Sequence, residues 1–457
     1  MNFKKLSFSV LVLFLMTTGL KCLAQLPKES EEQKQKRMEW WTNDRFGMFI
    51  HWGLYSLPAR HEWVKNYEKM TNEQYQKYFD MFDPDLFNPK EWAKQAKAAG
   101  MRYAVLTTKH HEGFCLFDSK LTDYKATNTP AARDLVREYV DAFRAEGIKI
   151  GFYYSLIDWH HPDFTIDKVH PQSPNDESAY EELNKNRDMS IYRKYLYGQV
   201  KELMSNYGKI DYLFFDFSFP GKNGKGHDDW DSENLLKMVR QLQPEILVND
   251  RLDLMDVEGG WDFQTPEQFK VSKWPEYKGK RIPWETCQTF SGSWGYYRDE
   301  NTWKDNKQLL ELLIESVSKG GNLLLNVGPT SRGTLDYRAT ERLNGMGEWM
   351  KVNNRSIYGC TQAPDEFKAP DNTLITYNPK TNRLYIHLLT YPLQNLILPG
   401  YNGKVKYAQF LHDGSEIKMA SSRGAWAAEN TPPADINLSL PVVKPKVEIP
   451  VIELFLK

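Results

Sequence analysis

The sequence is poor in cysteine and has no excess of either charge. Only 4 of its 457 residues are cysteine, and Cys115, Cys287 and Cys360 are far apart along the chain. Such spacing excludes a disulfide framework or a zinc knuckle and predicts buried free thiols. The 59 lysines and arginines balance 60 aspartates and glutamates, which excludes the basic excess typical of proteins that bind nucleic acids or anionic membranes.

Long apolar runs are lacking beyond the N-terminus. Residues 6–16 form an apolar run that follows two lysines, and small residues ending at Ala24 precede a cleavage site. This pattern is typical of a signal peptide over residues 1–24 and is too short for a permanent transmembrane helix. It predicts export to a bacterial periplasm, with secretion or a surface lipoprotein as alternatives. The mature chain is expected not to be embedded in a membrane.

Motifs that bind phosphate or dinucleotides are also absent. The sequence has no Gly-x-x-x-x-Gly-Lys-Ser/Thr loop, and the glycines at 221–226 do not follow the dinucleotide fingerprint. It has no Gly-x-Ser-x-Gly elbow either, which excludes the common serine hydrolase signature. We therefore expect no cofactor and no phosphate-binding site.

Short β-rich apolar runs alternate with longer helical patterns over most of the chain. With 41% hydrophobic and 26% charged residues, the chain is expected to be globular. Strand and helix in alternation predict a parallel sheet of the α/β class, and about eight strands over this length favour a (β/α)8, TIM-type, barrel. The predicted strands are 45–52, 103–108, 148–155, 210–217, 246–249, 261–265, 282–287 and 322–327.

The pattern changes near residue 359. Short alternating segments separated by turn residues follow, which predicts a small antiparallel β-sandwich. We therefore expect a catalytic barrel over residues 25–358 and a C-terminal domain over 359–457. The predicted strands of that domain are 373–377, 383–387, 405–410, 435–440 and 449–455.

Carboxylates stand at the predicted ends of three barrel strands. Asp216 follows the apolar run 212–215, while Glu267 and Glu285 are assigned to later strand ends. The carboxyl ends of the strands form the active face of such a barrel. Glycoside hydrolysis needs a pair of carboxylates, one to attack the sugar or orient water and one to protonate the leaving oxygen. A capping or ion-paired carboxylate is the alternative interpretation of Asp216.

Three histidines, His51, His110 and His111, fall at the ends of the first two strands. They are candidate zinc ligands of a metal-dependent barrel hydrolase. Adjacent residues of a strand point to opposite faces, however, which argues against His110 and His111 as co-ligands, and we predict no metal. The alternatives are hydrogen bonds to sugar hydroxyls or a structural role in the core.

Tryptophans near the same strand ends are candidates for contact with a sugar. Trp52 ends a predicted strand, and Trp63 and Trp159 each follow one. An indole face packs well against the apolar face of a sugar ring. We expect one or more of them to line the site.

Six motifs in order, between about residues 39 and 358, make the chain resemble the α-L-fucosidases of glycoside hydrolase family 29. The resemblance implies a (β/α)8-like barrel followed by a β-sandwich. It also implies an exo-acting, retaining hydrolase that removes terminal α-L-fucose from oligosaccharides or glycoconjugates through a covalent fucosyl-enzyme intermediate. The motifs are Phe49-Ile-His51-Trp52-Gly53, Thr107-Thr-Lys-His110-His111-Glu-Gly-Phe114, Tyr153-Tyr154-Ser155, Asn249-Asp-Arg251, Trp284-Glu285-Thr-Cys with Ser293-Trp-Gly-Tyr296, and Gly320-Gly-Asn-Leu-Leu-Leu-Asn326-Val-Gly-Pro329.

The resemblance also implies roles for individual residues. Asp216 falls at the position of the family's nucleophile. The residues that match its fucose-binding set are His51, His110, His111, Tyr154 and Arg251, and the pair Glu62 and Trp63 matches one that lies near the substrate hydroxyls. For Arg251, a structural ion pair is the alternative interpretation.

The acid/base residue varies in position across this family, and two glutamates compete for the role. Glu267 matches one branch, which tends to accept simple aryl fucosides, and Glu285 matches another, which is more selective for branched linkages. We favour Glu267, with Asp216 ionised and Glu267 kept protonated by a partly apolar site and a neighbouring carboxylate. Retention then predicts that the two carboxyl groups lie about 5–5.5 Å apart.

Other functions stay open at the level of sequence. A fucose-binding barrel without turnover and a metal-dependent hydrolase are the alternatives to a retaining fucosidase. The sequence also leaves open the preferred linkage and whether the chain forms a homo-oligomer.

Overall fold

The computed structural model describes residues 29–422 and 433–457. The predicted signal peptide, residues 1–24, lies outside the described residues. The helices within this part of the chain are α1 (Glu31–Asp44), α2 (Val64–Tyr67), α3 (Asn72–Asp80), α4 (Pro89–Ala98), α5 (Leu135–Ala145), α6 (Ala179–Asn184), α7 (Met189–Asn206), α8 (His227–Trp230), α9 (Ser232–Leu242), α10 (Asn306–Ser318) and α11 (Tyr337–Asn353).

The strands divide into a parallel group and an antiparallel group. The first group, with one short hairpin formed by β6 and β7, is β1 (Phe46–Ile50), β2 (Tyr103–Lys109), β3 (Lys149–Ser155), β4 (Tyr212–Asp216), β5 (Leu247–Val248), β6 (Glu276–Tyr277), β7 (Lys280–Arg281), β8 (Glu285–Thr289) and β9 (Asn322–Val327). The second group is β10 (Thr361–Gln362), β11 (Thr373–Asn378), β12 (Arg383–Leu388), β13 (Asn395–Leu398), β14 (Val405–Phe410), β15 (Lys418–Ser422), β16 (Asp435–Ser439) and β17 (Val451–Leu456).

Seven strands form one parallel sheet in the order β5-β4-β3-β2-β1-β9-β8. Between β5 and β8, isolated parallel bridges pair Asn249 with Phe263 and Glu267 with Cys287. The sheet therefore curls around a common interior, and the predicted (β/α)8-like barrel is confirmed. The prediction of a regular strand at 261–265 is wrong, because this part of the wall is joined only by single bridges.

Local sequence explains where the helices begin and end. Ser30 caps α1 and Asp305 caps α10, each in a capping box with the glutamine three residues later. Gly100, Gly147 and Gly208 follow α4, α5 and α7 with φ of 90°, 75° and 74°, a left-handed conformation that costs glycine least. These caps end each helix at the bottom of the barrel, where the following strand begins.

Strand alternation sorts side chains between the barrel interior and the helix layer. On β4, Tyr212 and Phe214 belong to the inner cluster, whereas Leu213 and Phe215 pack against the helices. Asp216, next in the inner series, ends this strand at the upper, carboxyl face of the barrel. The strand thus delivers a carboxylate to the mouth of an aromatic-lined interior.

The C-terminal strands form two antiparallel sheets, of five strands (β10-β11-β12-β17-β14) and three strands (β13-β16-β15). One apolar cluster contains residues of both sheets, including Ile386 and Leu438, so the predicted β-sandwich is confirmed. The domain packs on α11, where Trp349 Nε1 donates to the Ile449 carbonyl at 2.8 Å. The helix ends at Asn353 and the first sandwich strand begins at Thr361, while the boundary at 358/359 stays a prediction.

The three cysteines predicted to be buried thiols are Cys115, Cys287 and Cys360. All three are buried and free, which confirms the prediction. Among the described helices, not one combines the length and apolarity that a membrane crossing requires.

Candidate active site

Asp216 lies at the centre of the upper face of the barrel. It is the last residue of β4 and pairs with Ser155, the last residue of β3. Its side chain is 14% exposed, so the carboxylate is held in a low-dielectric setting but remains open to a ligand. The prediction that Asp216 ends a strand at the barrel mouth is confirmed.

Two partners fix the orientation of the Asp216 carboxylate. Tyr153 Oη donates to Oδ2 at 2.7 Å, and Arg251 Nη1 contacts Oδ1 at 3.1 Å. Burial raises the pKa of Asp216 to about 6, the charge of Arg251 opposes this rise, and the nearby charge of Glu267 adds to it. The group is therefore mostly ionised at neutral pH and becomes neutral in mild acid.

Arg251 joins the two upper carboxylates. Its Nη2 contacts Glu267 Oε2 at 3.2 Å, while its Nε and Nη2 donate to the hydroxyl and the carbonyl of Thr265, both at 3.0 Å. Asp216 and Glu267 thus share one guanidinium, which brings them to the same site. The predicted separation of about 5–5.5 Å between their carboxyl groups stays a prediction.

Glu267 is more open than the sequence indicated. Its side chain is 43% exposed and ion-paired with Arg251, so the expectation that a partly apolar pocket surrounds it is wrong for the free enzyme. The segment that carries it lies at the rim of the barrel.

Glu285 lies at the other end of the barrel. It is the first residue of β8, not the last, and both Tyr103 and Tyr212 donate to its fully buried carboxylate, the latter at 2.7 Å. Tyr212 begins β4, four residues or about 13 Å along the strand from Asp216. Burial raises the pKa of Glu285 to about 7. The prediction that Glu285 stands at the carboxyl end of a strand is wrong, and its place at the bottom of the barrel argues against a role as acid/base.

His110 and His111 follow β2 and lie on the same side of the barrel. The strand ends at Lys109 after a register irregularity, and the two rings are 4.0 Å apart between centroids. The expectation of opposite faces is wrong because it requires regular strand geometry at both residues. His111 Nδ1 lies 2.7 Å from Ser155 Oγ, and its Nε2 lies 3.8 Å from Asp216 Oδ2. Burial lowers the pKa of both histidines well below the usual value.

His51 completes the group of three histidines. It is the next inward residue after Phe49 of β1, and its ring centroid is 5.6 Å from that of His110. Its Nδ1 lies 2.6 Å from Asn326 Oδ1 on β9. Burial lowers its pKa to about 3, so this ring is neutral at physiological pH.

Glu62 and Trp63 lie on the loop after β1 and play different parts. Glu62 is buried and its Oε2 accepts hydrogen bonds from Ser293 Oγ and from the amides of Trp294 and Gly295. It therefore holds the loop over residues 293–295 against the barrel mouth. The half-buried ring of Trp63 meets the ring of His111 edge-on at 5.4 Å, which places it in the wall of the site.

Trp52 and Tyr154 point away from the site, contrary to prediction. Trp52 is buried in the helix layer, with its Nε1 bonded to the Thr330 carbonyl and its ring against Trp92. Tyr154 Oη donates to Gln199 of α7 at 2.8 Å. Both follow an inward residue of a strand, so alternation turns them outward. Trp159 is likewise buried, packed on Trp63.

Two residues outside the predicted set of site residues belong to the site. Tyr153 contacts Asp216, and Phe217, directly after Asp216, packs against His111 with ring centroids 5.0 Å apart. Alternation back from Ser155 would have found Tyr153. Phe217 has φ of 80°, a strained conformation for an aromatic residue that no sequence pattern marks and that clusters at functional sites.

The arrangement suits a neutral, hydroxyl-rich ring at which positive charge develops. Neutral imidazoles and the aromatic wall surround two carboxylates and one guanidinium, with Asp216 able to contact a reacting carbon. Within residues 29–422 and 433–457, no group of three or more His, Cys, Asp or Glu side chains is arranged to hold a metal ion. Its carboxylates are groups of the kind that serve in nucleophilic attack and proton transfer.

Comparisons with known proteins place this geometry in a family context. A family model described as Alpha-L-fucosidase matches residues 20–355. The structure of alpha-L-fucosidase isoenzyme 1 from Paenibacillus thiaminolyticus is 45% identical with a TM-score of 0.85 and covers 93% of this chain and 99% of its own. Tissue alpha-L-fucosidase of Mus musculus is 29% identical over 434 residues, which are 89% of this chain and 88% of that protein.

A further structure captures a reaction step in a relative. It is a trapped covalent intermediate of a GH29 alpha-L-fucosidase from Bacteroides thetaiotaomicron, in complex with 2-fluoro-fucosyl fluoride. That chain is 28% identical, with a TM-score of 0.79, and the match covers 95% of this chain and 98% of that one.

Proposed function

The chain belongs to the α-L-fucosidase family and is a glycoside hydrolase, and from this premise we propose an exo-acting, retaining mechanism with Asp216 as nucleophile and Glu267 as acid/base. The substrates are terminal α-L-fucosyl groups of oligosaccharides or glycoconjugates. The observation that carries the proposal is the shared contact of Arg251 with Asp216 at 3.1 Å and Glu267 at 3.2 Å. The covalent intermediate trapped in the Bacteroides thetaiotaomicron relative supports it.

In the first step, an Asp216 oxygen forms a bond to the anomeric carbon as the bond to the leaving oxygen breaks. Glu267 gives its proton to that oxygen. Arg251 and Tyr153 hold Asp216 in position. Their interactions with the carboxylate weaken as its negative charge is lost on formation of the ester. The aglycone covers the exposed side of Glu267 and excludes water from it.

In the second step, water attacks the anomeric carbon and releases fucose from Asp216. Glu267, now ionised, takes the proton from that water. Two displacements at one carbon return the original configuration, so the first product is α-L-fucose.

Trapping and product analysis test this proposal. We expect incubation with 2-fluoro-fucosyl fluoride to add one 2-fluoro-fucosyl group, which peptide mass spectrometry locates on Asp216. Proton NMR of early hydrolysis products should show α-L-fucose before mutarotation. Label on another residue, or β-L-fucose as the first product, overturns the mechanism, and binding of fucose without any turnover favours a binding protein instead.

The pH dependence of catalysis follows from the titration of Asp216. Its pKa of about 6 means that the nucleophile is protonated and inactive below this pH, so kcat/KM should fall about tenfold for each pH unit below it. Above about pH 7 this group no longer limits the rate. The measurement is kcat/KM for 4-nitrophenyl α-L-fucoside between pH 4 and 8.

Arg251→Gln provides the control for that assignment. The cation lowers the pKa of Asp216, so its removal should move the acid limb to higher pH as well as lower the rate. A limb that stays in place in Arg251→Gln contradicts the assignment of the limb to Asp216.

A further inference from the structure

Two histidines of the site are tied at Nδ1 to partners that have a second hydrogen bond. His111 Nδ1 lies 2.7 Å from Ser155 Oγ, and His51 Nδ1 lies 2.6 Å from Asn326 Oδ1. A neutral imidazole carries its proton on one nitrogen only, and the partner of one nitrogen decides what the other presents. The second bonds of Ser155 and Asn326 settle which nitrogen that is.

Ser155 has one hydroxyl proton and two close neighbours. Its Oγ lies 2.7 Å from the carbonyl oxygen of Ile157, which only accepts hydrogen bonds. Two oxygens at this distance need a proton between them, so the serine proton points to Ile157. The hydroxyl must then accept from His111, whose Nδ1 is therefore protonated.

The hydrogen bonds of Asn326 likewise place the proton of His51 on Nδ1. Its Nδ2 donates to the Trp294 carbonyl at 2.6 Å, which fixes the orientation of the amide. The amide oxygen consequently faces His51 and only accepts. His51 Nδ1 is therefore the donor of that bond, and its Nε2 carries the lone pair.

We propose that Ser155 and Asn326 are positioning residues that hold His111 and His51 as the Nδ1–H tautomer, so that Nε2 of each ring accepts a hydrogen bond from a sugar hydroxyl. The site then recognises hydroxyl groups by their protons at two positions. The inference rests on the proposed function and deepens it, because it assigns two residues that determine which hydrogen bonds the site forms with the sugar hydroxyls.

The surroundings of His111 support this arrangement. Its Nε2 lies 3.8 Å from Asp216 Oδ2, so two acceptors face each other across a gap that a hydroxyl donor fills. Burial lowers the pKa of His111 well below its usual value. The ring therefore stays neutral, and its Nε2 does not become a donor to Asp216. His110 differs, because its buried Nδ1 has no hydrogen-bond partner among the described residues.

The position of His111 beside the nucleophile identifies the hydroxyl. Asp216 must contact the anomeric carbon in the proposed mechanism, so a hydroxyl within reach of both Asp216 and His111 Nε2 is the one on the neighbouring carbon, C2. A substrate that lacks this hydroxyl gains nothing from the His111 tautomer.

Ser155→Ala tests the proposal on two substrates, 4-nitrophenyl α-L-fucoside and its 2-deoxy analogue. We expect kcat/KM for the parent to fall on the order of 10-fold, since His111 loses its fixed tautomer, while the 2-deoxy analogue changes less than about 3-fold. The intrinsic reactivities of the two substrates cancel when the wild-type and variant ratios are compared. Ser155→Thr keeps the hydroxyl and should keep the wild-type ratio.

Ser56→Ala is the matched control, because Ser56 is a buried serine whose Oγ has no partner among the described residues. It should leave the ratio unchanged. An equal loss on both substrates in Ser155→Ala, or no loss on either, shows a structural role only and overturns the proposal.

A spectroscopic measurement on the wild type reads the tautomers directly, and variants serve only to assign its signals. Long-range proton–nitrogen NMR of ¹⁵N-histidine-labelled enzyme, with assignment by His51→Gln and His111→Gln, should show both rings protonated at Nδ1. A proton on Nε2 of either ring overturns the proposal for that ring. Failure to label Asp216 in the trapping experiment overturns the proposed mechanism instead and leaves the tautomers as measured.

Discussion

Asp216→Ala is expected to lower kcat for 4-nitrophenyl α-L-fucoside by at least about 10³-fold. In the proposed mechanism the variant lacks the oxygen that attacks the anomeric carbon, and Glu267 does not replace it, since Glu267 contacts a different guanidinium nitrogen of Arg251. Folding should persist, because the side chain lies at the end of β4 and is partly exposed. Steady-state kinetics and circular dichroism check the two expectations.

Azide makes this result specific to a nucleophile. The anion fits the space left by the carboxylate and attacks the sugar directly, so it should restore part of the activity and give β-L-fucosyl azide, the inverted product. Activity within tenfold of the wild type, or an α-L-fucosyl azide product, contradicts the role of Asp216.

Glu267→Ala is expected to affect substrates according to their leaving groups. A nitrophenolate departs without a proton, whereas a sugar alcohol needs one, so kcat/KM should fall about 10²–10⁴-fold for a fucosylated oligosaccharide and much less for the nitrophenyl fucoside. Azide should accelerate turnover of the intermediate and give α-L-fucosyl azide, because Asp216 is intact. Parallel assays of the two substrates provide the measurement.

Glu285→Gln is the matched control for Glu267. It also removes a carboxylate, but from the bottom of the barrel, where the group accepts hydrogen bonds from Tyr103 and Tyr212. We expect the same fractional effect on both substrates and no azide product. A leaving-group dependence in Glu285→Gln together with its absence in Glu267→Ala contradicts the acid/base assignment.

Strand alternation decided which parts of the site were predictable. Asp216 was found because an apolar run ends at it, and Arg251 because it follows a strand. Trp52 and Tyr154 were misplaced because each adjoins an inward residue, and a shift of one residue exchanges the two faces of a strand. A motif shows that such residues belong together but does not show which of two neighbours faces inward.

Glu285 was misplaced for a related reason. The predicted strand 282–287 began three residues before the observed strand, Glu285–Thr289, so a residue at the start of the strand was placed at its end. The boundaries of short apolar segments depend on pairing with neighbouring strands, which local sequence does not contain. His110 and His111 illustrate the converse, because a strand assumed to continue through them had already ended.

The two proposed catalytic carboxylates are anchored to the barrel in unequal ways. Asp216 ends a strand with continuous parallel pairing to β3, whereas Glu267 is joined to β8 by a single isolated bridge to Cys287, on a segment with no regular ladder. An insertion or deletion beside Asp216 would shift a whole ladder, whereas one beside Glu267 would disturb isolated bridges and the few backbone hydrogen bonds beside them. The position of the proposed nucleophile is therefore set by a continuous strand ladder, whereas the position of the proposed proton donor depends on a segment with far less regular pairing.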